Sequence, residues 1–239
     1  MISPKITGAI ITAIIIVVGV VLIYPALRLD SHVVQNQVLL TFSIVNSTNL
    51  PTWCTDLSRF LQDNNIHSTI FITGIMADTY PNCVASLGKN NDVGSMAYSY
   101  DTITNLNYTG QLNQIIDGKA AVDKQGRLNS TIFKAPHGIV DDKIYSLLTR
   151  SHIIADFTYK DHYNIYTNGL SGKIFYRFPM TSLGNMSDSK LSGRDQNIAV
   201  MVNIYNYDSM NKVQEFINSA SKNPHQFVTA SELIRNTVR

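Results

Sequence analysis

The sequence predicts an α/β chain in which one N-terminal transmembrane helix precedes a small, incomplete barrel of parallel strands. Three observations predict it. No charged residue occurs from Ile6 to Leu27. Beyond that stretch, short runs rich in β-branched and aromatic residues recur, starting with Val38–Val45, and near-continuous apolar runs of this kind suit strands buried on both faces. Between the runs lie segments with apolar residues at helical spacing, so strands and helices alternate as in βαβ units. About seven such units in roughly 200 residues fit an incomplete barrel better than an open dinucleotide-binding sheet.

The first element is the span. About 20 apolar residues at a rise of about 1.5 Å cross a hydrocarbon core of roughly 30 Å. Its centre, Ile10 to Ile23, is dominated by Ile and Val. These are poor helix formers in water, but in lipid the backbone must bond to itself and the helix wins. The run exceeds the apolar region of a signal peptide, about 7–15 residues, and Tyr24-Pro25-Ala26-Leu27 is a poor cleavage site. Residues 1–29 therefore read as an uncleaved membrane anchor. Lys5 precedes the span, and Arg28, partly offset by Asp30, follows it. The positive-inside rule then makes a single-pass protein of the cell membrane with its C-terminal domain extracytoplasmic. Residues 30–37 read as a polar linker and 38–239 as the outside domain.

Val38–Val45 is the domain's first strand. Trp53, Leu57, Phe60 and Leu61 mark a helix over 52–64, stopped by Asn64-Asn65. A strand over 68–73 leads through Gly74 into a helix over 75–89. Leu112, Ile115, Ile116 and Val122 mark a helix over 110–124, followed by a short strand at Ile132-Phe133. Asp141 or Asp142 caps a helix that ends at Arg150. Strands follow over 153–157, 173–178 and 197–203, then a helix over 209–221, a strand over 226–229 and a closing helix over 230–236.

Composition narrows the function. A chain of 239 residues holds one full-sized domain plus an accessory segment. Its formal net charge of +2 excludes a polybasic nucleic-acid binder. Two cysteines exclude a cysteine-rich zinc site; Cys54 and Cys83 either pair in an oxidising exterior or are separate buried thiols. No glycine-rich phosphate fingerprint follows a strand, so dinucleotide and P-loop chemistry lack support. Asn46, Asn107, Asn129 and Asn185 head N-x-Ser/Thr triplets and are glycosylation candidates on an exterior domain.

Val38-Leu39-Leu40-Thr41-Phe42, Ser68 to Gly74, Met76 to Pro81, Val93 to Tyr100, Phe133 to Gly138, Val200 to Asn203 and Gln226 to Thr229 together resemble the polysaccharide deacetylase family, in its order and spacing. The resemblance covers about residues 38–234 and implies a distorted (β/α)7-type barrel. It also implies hydrolysis of acetamido groups on sugars by a divalent metal, usually zinc, held by one Asp and two His, with a second Asp as base. Carried over residue by residue, that chemistry is missing. The family's Thr-Phe-Asp-Asp is Thr41-Phe42-Ser43-Ile44, so Ser43 stands at the base position and Ile44 at a ligand position. The His-x-x-x-His pair is Met96 and Tyr100, a thioether and a phenol, both poor zinc ligands. The Arg of Arg-x-Pro-x-Gly is Lys134, and the late catalytic His falls at Asn203.

The resemblance thus implies a degenerate member: no catalytic residues, no metal and no cofactor. The expected function is that of a catalytically inactive, membrane-anchored structural or interaction subunit of a membrane or envelope protein assembly. Two alternatives remain. Lys134, His137, Tyr98, Tyr100 and Tyr205 form a candidate glycan groove, since tyrosines stack on sugar faces; equally, the tyrosines fill the space of a lost metal site. The other alternative is a deacetylase of cell-surface glycans with non-standard ligands. His137 is the residue to watch there, with Asp156, Lys160, Asp161 and His162 as neighbours. A dry contact among Ile44, Met96 and Tyr100 would argue against it.

Overall fold

Ten strands make one sheet in the computed structural model, which describes residues 37–45, 50–158, 164–167, 174–183, 198–203, 208–222 and 225–237. In chain order they are β1 (Gln37–Ile44), β2 (Thr69–Ile72), β3 (Asp92–Ser95), β4 (Ile132–Phe133), β5 (Ala155–Asp156), β6 (Asn164–Thr167), β7 (Ile174–Arg177), β8 (Thr181–Ser182), β9 (Ile198–Asn203) and β10 (Gln226–Val228). The path runs β6-β7-β5-β4-β3-β2-β1-β9-β8, with β10 joined to β1. All pairs are parallel except the β6–β7 hairpin. Within the described residues the sheet is thus an open half-barrel, and the antiparallel hairpin departs from the expected run of βα units.

The helices are α1 (Leu50–Asp63), α2 (Gly74–Thr79), α3 (Pro81–Leu87), α4 (Tyr108–Gly126), α5 (Asp142–Arg150), α6 (Asp208–Ala220) and α7 (Ala230–Thr237). Their starts follow local chemistry. The Asn107 side chain accepts from Gly110 N to cap α4, and Asp141 accepts from Ile144 N to cap α5, each at 2.9 Å. The single helix expected over 75–89 is α2 and α3, because Pro81 cannot continue a helix but suits the first position of a new one. Sequence reasoning placed no strand at β3, where Gly94 interrupts the apolar run. A side chain there would meet the Phe71 ring at 2.6 Å.

β1 organises the core. All eight of its residues are buried, and their alternation separates two layers. Val38, Leu40, Phe42 and Ile44 face outward into a cluster with Leu57 and Leu61 of α1, Val84 and Leu87 of α3 and Val213 of α6. Leu39 faces inward, with Phe71, Met96, Ile132, Phe157 and Phe178. A third cluster packs α4 and α5 against Phe133 and Phe175. Cys54 of α1 and Cys83 of α3 are joined by a disulfide with their Cα atoms 5.4 Å apart, which decides between the two readings open at the sequence level.

Among the described residues no helix is long and apolar enough to cross a membrane. The predicted span, the linker up to residue 36, Asn46, Asn185, Lys160, Asp161, His162 and Tyr205 lie outside the described residues. Asn107 and Asn129 are both exposed.

Candidate functional site

Residues that follow the ends of parallel strands share one edge of the half-barrel, where α/β folds carry their sites. Ser43 belongs to the inward-facing set of β1. Lys134 follows β4 and is held in place by its own backbone N–H, which donates to Ser95 O at 3.1 Å. Its Nζ crosses the interior and donates to Ser43 Oγ at 2.5 Å. Both side chains are enclosed, at 1% and 6% exposure for Ser43 and Lys134.

Asp156, at the end of β5, is fully buried. Its Oδ1 accepts from the backbone N–H of Thr158 at 3.0 Å and from the Thr158 hydroxyl, and its Oδ2 accepts from Tyr145 OH at 3.2 Å. Thr158 Oγ1 in turn accepts from Ala135 N at 2.6 Å, which ties Asp156 to the turn that carries Lys134. Arg177 of β7 lies over the Tyr145 ring, 5.1 Å from its centre.

Burial sets the protonation of this network. Desolvation pushes Lys134 down to about 8, and the Asp156 charge opposes that. Desolvation pushes Asp156 up to about 7, while the Thr158 and Tyr145 hydrogen bonds and the Arg177 charge resist. Tyr145 is raised above the ordinary phenol value by burial and by Asp156.

The rim is different. His137 is exposed, has φ 56° and donates from Nε2 to Tyr100 O at 2.8 Å. The Tyr100 and His137 rings lie 4.3 Å apart. Tyr98 points elsewhere: its ring packs with the outer cluster and its OH donates to Asp78 at 3.5 Å. The positive φ of Ala97, 64°, turns the chain between Met96 and Tyr98, and Tyr98 and Tyr100 pack against different clusters. Lys134 is a buried residue rather than a groove-lining one. His137 makes its contact with Tyr100, while Asp156 belongs to the interior network.

The three positions that resemble metal-ligand sites also separate. Met96 is buried in the inner cluster, with Tyr100 packed against it, whereas Ile44 is buried in the outer one. The three therefore do not pack in one cluster: Met96 and Tyr100 belong to the inner layer, and Ile44 has the opposite parity on β1. None of the three offers an ionised or imidazole donor to a divalent ion. Among the described residues no group of three His, Cys, Asp or Glu side chains converges. Asn203 ends β9, in register with Ser43.

A family model described as polysaccharide deacetylase matches residues 31–153. The chain belongs to the polysaccharide deacetylase family. Over 118 residues it is 25% identical to the peptidoglycan-N-acetylmuramic acid deacetylase PdaC of Bacillus subtilis, a match that covers 49% of this chain. The match spans only a quarter of the length of that curated relative (25%). A solved structure of the peptidoglycan deacetylase PdaC superposes with a TM-score of 0.63 at 20% identity, over 85% of this chain and 92% of the other. A family 4 carbohydrate esterase from Streptomyces lividans in complex with acetate gives 0.58 at 14% identity, over 80% and 90%. A mutant of a CE4 family pseudoenzyme with restored enzymatic activity gives 0.64 at 11% identity, over 84% and 68%. At these identities the structures establish the family fold, and the site must be argued from this chain's own residues.

Tyr145, Thr158 and Arg177 were not flagged by sequence reasoning, and Asp156 was expected beside His137. Tyr145 lies on an amphipathic helix and Arg177 in a short strand, where spacing marks core and surface but not a shared polar interior. The one available signal was Lys134 at the family's Arg position, since a buried cation requires partners.

Proposed function

We propose that this chain is a deacetylase-like domain without the metal-dependent hydrolysis of its family, held at the cell membrane by residues 6–27, with its outer domain serving as a structural or interaction subunit of a membrane or envelope assembly. The observation that carries this reading is the Ser43–Lys134 hydrogen bond beside a buried Met96. At the base position stands a hydroxyl that accepts a bond from a cation, and at a ligand position a thioether inside an apolar cluster. A neutral serine does not deprotonate water, and a metal ion is not held by Ile44, Met96 and Tyr100. The residues present thus do not fit zinc.

Two observations support the location. The uncharged run from Ile6 to Leu27 is long enough to span a bilayer. The Cys54–Cys83 disulfide fits an oxidising compartment. That one structural relative is described as a CE4 family pseudoenzyme supports the loss of catalysis as an outcome open to this fold.

The test uses full-length protein extracted from membranes in mild detergent. Elemental analysis should find no stoichiometric zinc, acetylated chito-oligosaccharides should release no acetate, and affinity purification should recover specific membrane or envelope proteins. Stoichiometric zinc with acetate release would establish the deacetylase alternative instead. A monomer that recovers no partner would remove the subunit role.

A further inference from the structure

We infer that the edge of the half-barrel at which the parallel strands begin docks on an anionic bilayer surface, where a polar pocket between α1 and α3 receives a lipid phosphate headgroup. The inference rests on the reading of residues 6–27 as a membrane span. Residues 28–36 join that run to Gln37, the first residue of β1, and nine residues reach at most about 30 Å. The edge where β1 begins is thus tethered to the bilayer. Parallel pairing puts the starts of β2, β3, β4, β5 and β10 on that same edge, at the opposite ends of the strands from Ser43 and Lys134.

The outward charge of this edge is positive. Lys89 precedes β3, Lys124 and Arg127 lie at the end of α4 ahead of β4, and Lys222 follows α6 ahead of β10; all four are exposed. None of their side chains has a hydrogen-bond or ion-pair partner among the described residues. The neighbouring carboxylates are half-buried and turned to the backbone. Asp92 accepts from Ser231 N at 2.6 Å, Glu232 from Thr229 N at 2.8 Å and Asp123 from Ser130 N at 2.7 Å, and Asp123 also pairs with Lys119. Asp63, exposed at the end of α1, offsets one cation. The loops that follow β3 and β4 have the other sign, with exposed Asp101, Asp141 and Asp142 against Lys143. An anionic surface therefore attracts the first edge and repels the second.

The pocket opens on the same edge. It holds about 210 Å³, and Ser58, Gln62, Asn65, His67, Ser86 and Lys89 line it, with no carboxylate among the described residues of its wall. Its frame is held from within the fold. Asn91 Oδ1 accepts from Ser68 N and Ser68 Oγ, and Asn91 Nδ2 donates to Leu87 O, each at 2.9 Å. Asn65 takes a left-handed turn, φ 51°, that reverses the chain between α1 and β2. Amides, hydroxyls and one ammonium, with no acid among them, are the donor set that a phosphodiester needs for its oxygens and its charge. Lys89 belongs to both the pocket and the basic edge. Ile154, exposed ahead of β5, adds an apolar side chain to the same face.

The test uses full-length protein in nanodiscs of phosphatidylcholine alone or mixed equally with phosphatidylglycerol. A fluorophore is placed on Asn129→Cys, exposed on this edge and outside the pocket, or on Asn105→Cys, exposed after β3 on the other edge. Lipid with a nitroxide on its headgroup should quench only the Asn129→Cys label, and only in the anionic discs. Salt at about 1 M, where the Debye length is about 3 Å, should abolish the quenching. Lys89→Gln/Arg127→Gln should weaken docking about 25-fold, about fivefold for each cation. Ser58→Phe, which fills the pocket and keeps the charge, should weaken it severalfold. Near-UV circular dichroism checks that each variant is folded, and the two labels in otherwise unaltered protein decide alone if one is not. Equal quenching of both labels, or equal quenching in neutral and anionic discs, would overturn the docking, and an unchanged response in Ser58→Phe would overturn the pocket. Protein that fails to enter discs of either kind would remove the span and the tether with it. Entry without quenching would remove the docking and leave the span standing.

Discussion

The Cys54–Cys83 bond offers a prediction whose size follows from the structure. It closes a loop of 29 residues between α1 and α3, the helices that cover the outer face of β1. In the chain-entropy model a loop of that length removes about 12 cal/mol/K from the unfolded ensemble, or about 3.5 kcal/mol at 25 °C. That is a few hundredfold in the unfolding equilibrium, a large fraction of an ordinary domain's stability. The perturbation is reduction of the bond, with Cys54→Ala/Cys83→Ala as a second route. The double variant also empties the space of two buried sulfurs and should lose more than reduction alone. The assay is urea unfolding followed by near-UV circular dichroism, with and without a phosphine reductant. The midpoint should fall by about 1–2 M urea, and m should rise because an unlinked chain exposes more surface when unfolded. Unreduced, denatured protein should show no thiol reactive to Ellman's reagent. Two reactive thiols there, or a midpoint that reductant leaves unmoved, would refute the reasoning.

The buried network predicts a pH dependence. Asp156 is raised from 3.8 to about 7, so the folded protein holds its proton more tightly than the unfolded chain does, and stability falls as pH rises through that interval. Lys134 is lowered from 10.5 to about 8, so on its account stability rises again from pH 8 upward. Asp156→Asn, which mimics the neutral acid, should flatten the acid side by about 4 kcal/mol at 1.36 kcal/mol per pH unit, read as Tm against pH from 4 to 7; a slope equal to the wild type's would contradict the assignment. Gly118→Ala should destabilise by about 1–3 kcal/mol or more, because the added methyl meets the Ala97 carbonyl carbon at 2.3 Å and backbone cannot rotate away. An unchanged Tm would mean that α4 does not rest on the turn after β3.

The parts of the fold legible in the sequence were those whose pattern repeats. β1 and β2 declared themselves as near-continuous apolar runs buried on both faces, and α1 and α4 because apolar residues recur at helical spacing. The elements missed were β3, where a glycine replaces the expected side chain, β6, whose Asn-Ile-Tyr-Thr carries no apolar run, and β8, only two residues long. The helix break at Pro81 was readable in principle, since proline both ends one helix and starts another. The site was legible only as a set of substitutions. Ser43, Ile44, Met96, Tyr100 and Lys134 were found by position, but parity along β1 sends Ile44 to the opposite layer from Met96, and no spacing rule joins Tyr145 and Arg177 to Asp156. Their proximity comes from β4, β5 and β7 lying side by side, a tertiary fact that pairwise sequence patterns do not encode.

The same geometry explains why Lys134 is displaced from the ordinary lysine range. A carboxylate at position 43 would lie within hydrogen-bond reach of Nζ and would hold it as an ammonium; Ser43 offers a neutral oxygen, and desolvation outweighs the opposing Asp156 charge. Ser43→Asp should therefore raise the Lys134 value toward or above 10.5, observable as a shifted titration of its ε-methylene signals in lysine-labelled protein. It should not create glycan deacetylation, because Met96 and Tyr100 still present a thioether and a phenol where the family's chemistry needs imidazoles. A Lys134 titration that stays near 8 in Ser43→Asp would mean that the residue at position 43 does not govern the lysine, and the account of the interior would have to rest on Asp156 and Arg177 alone.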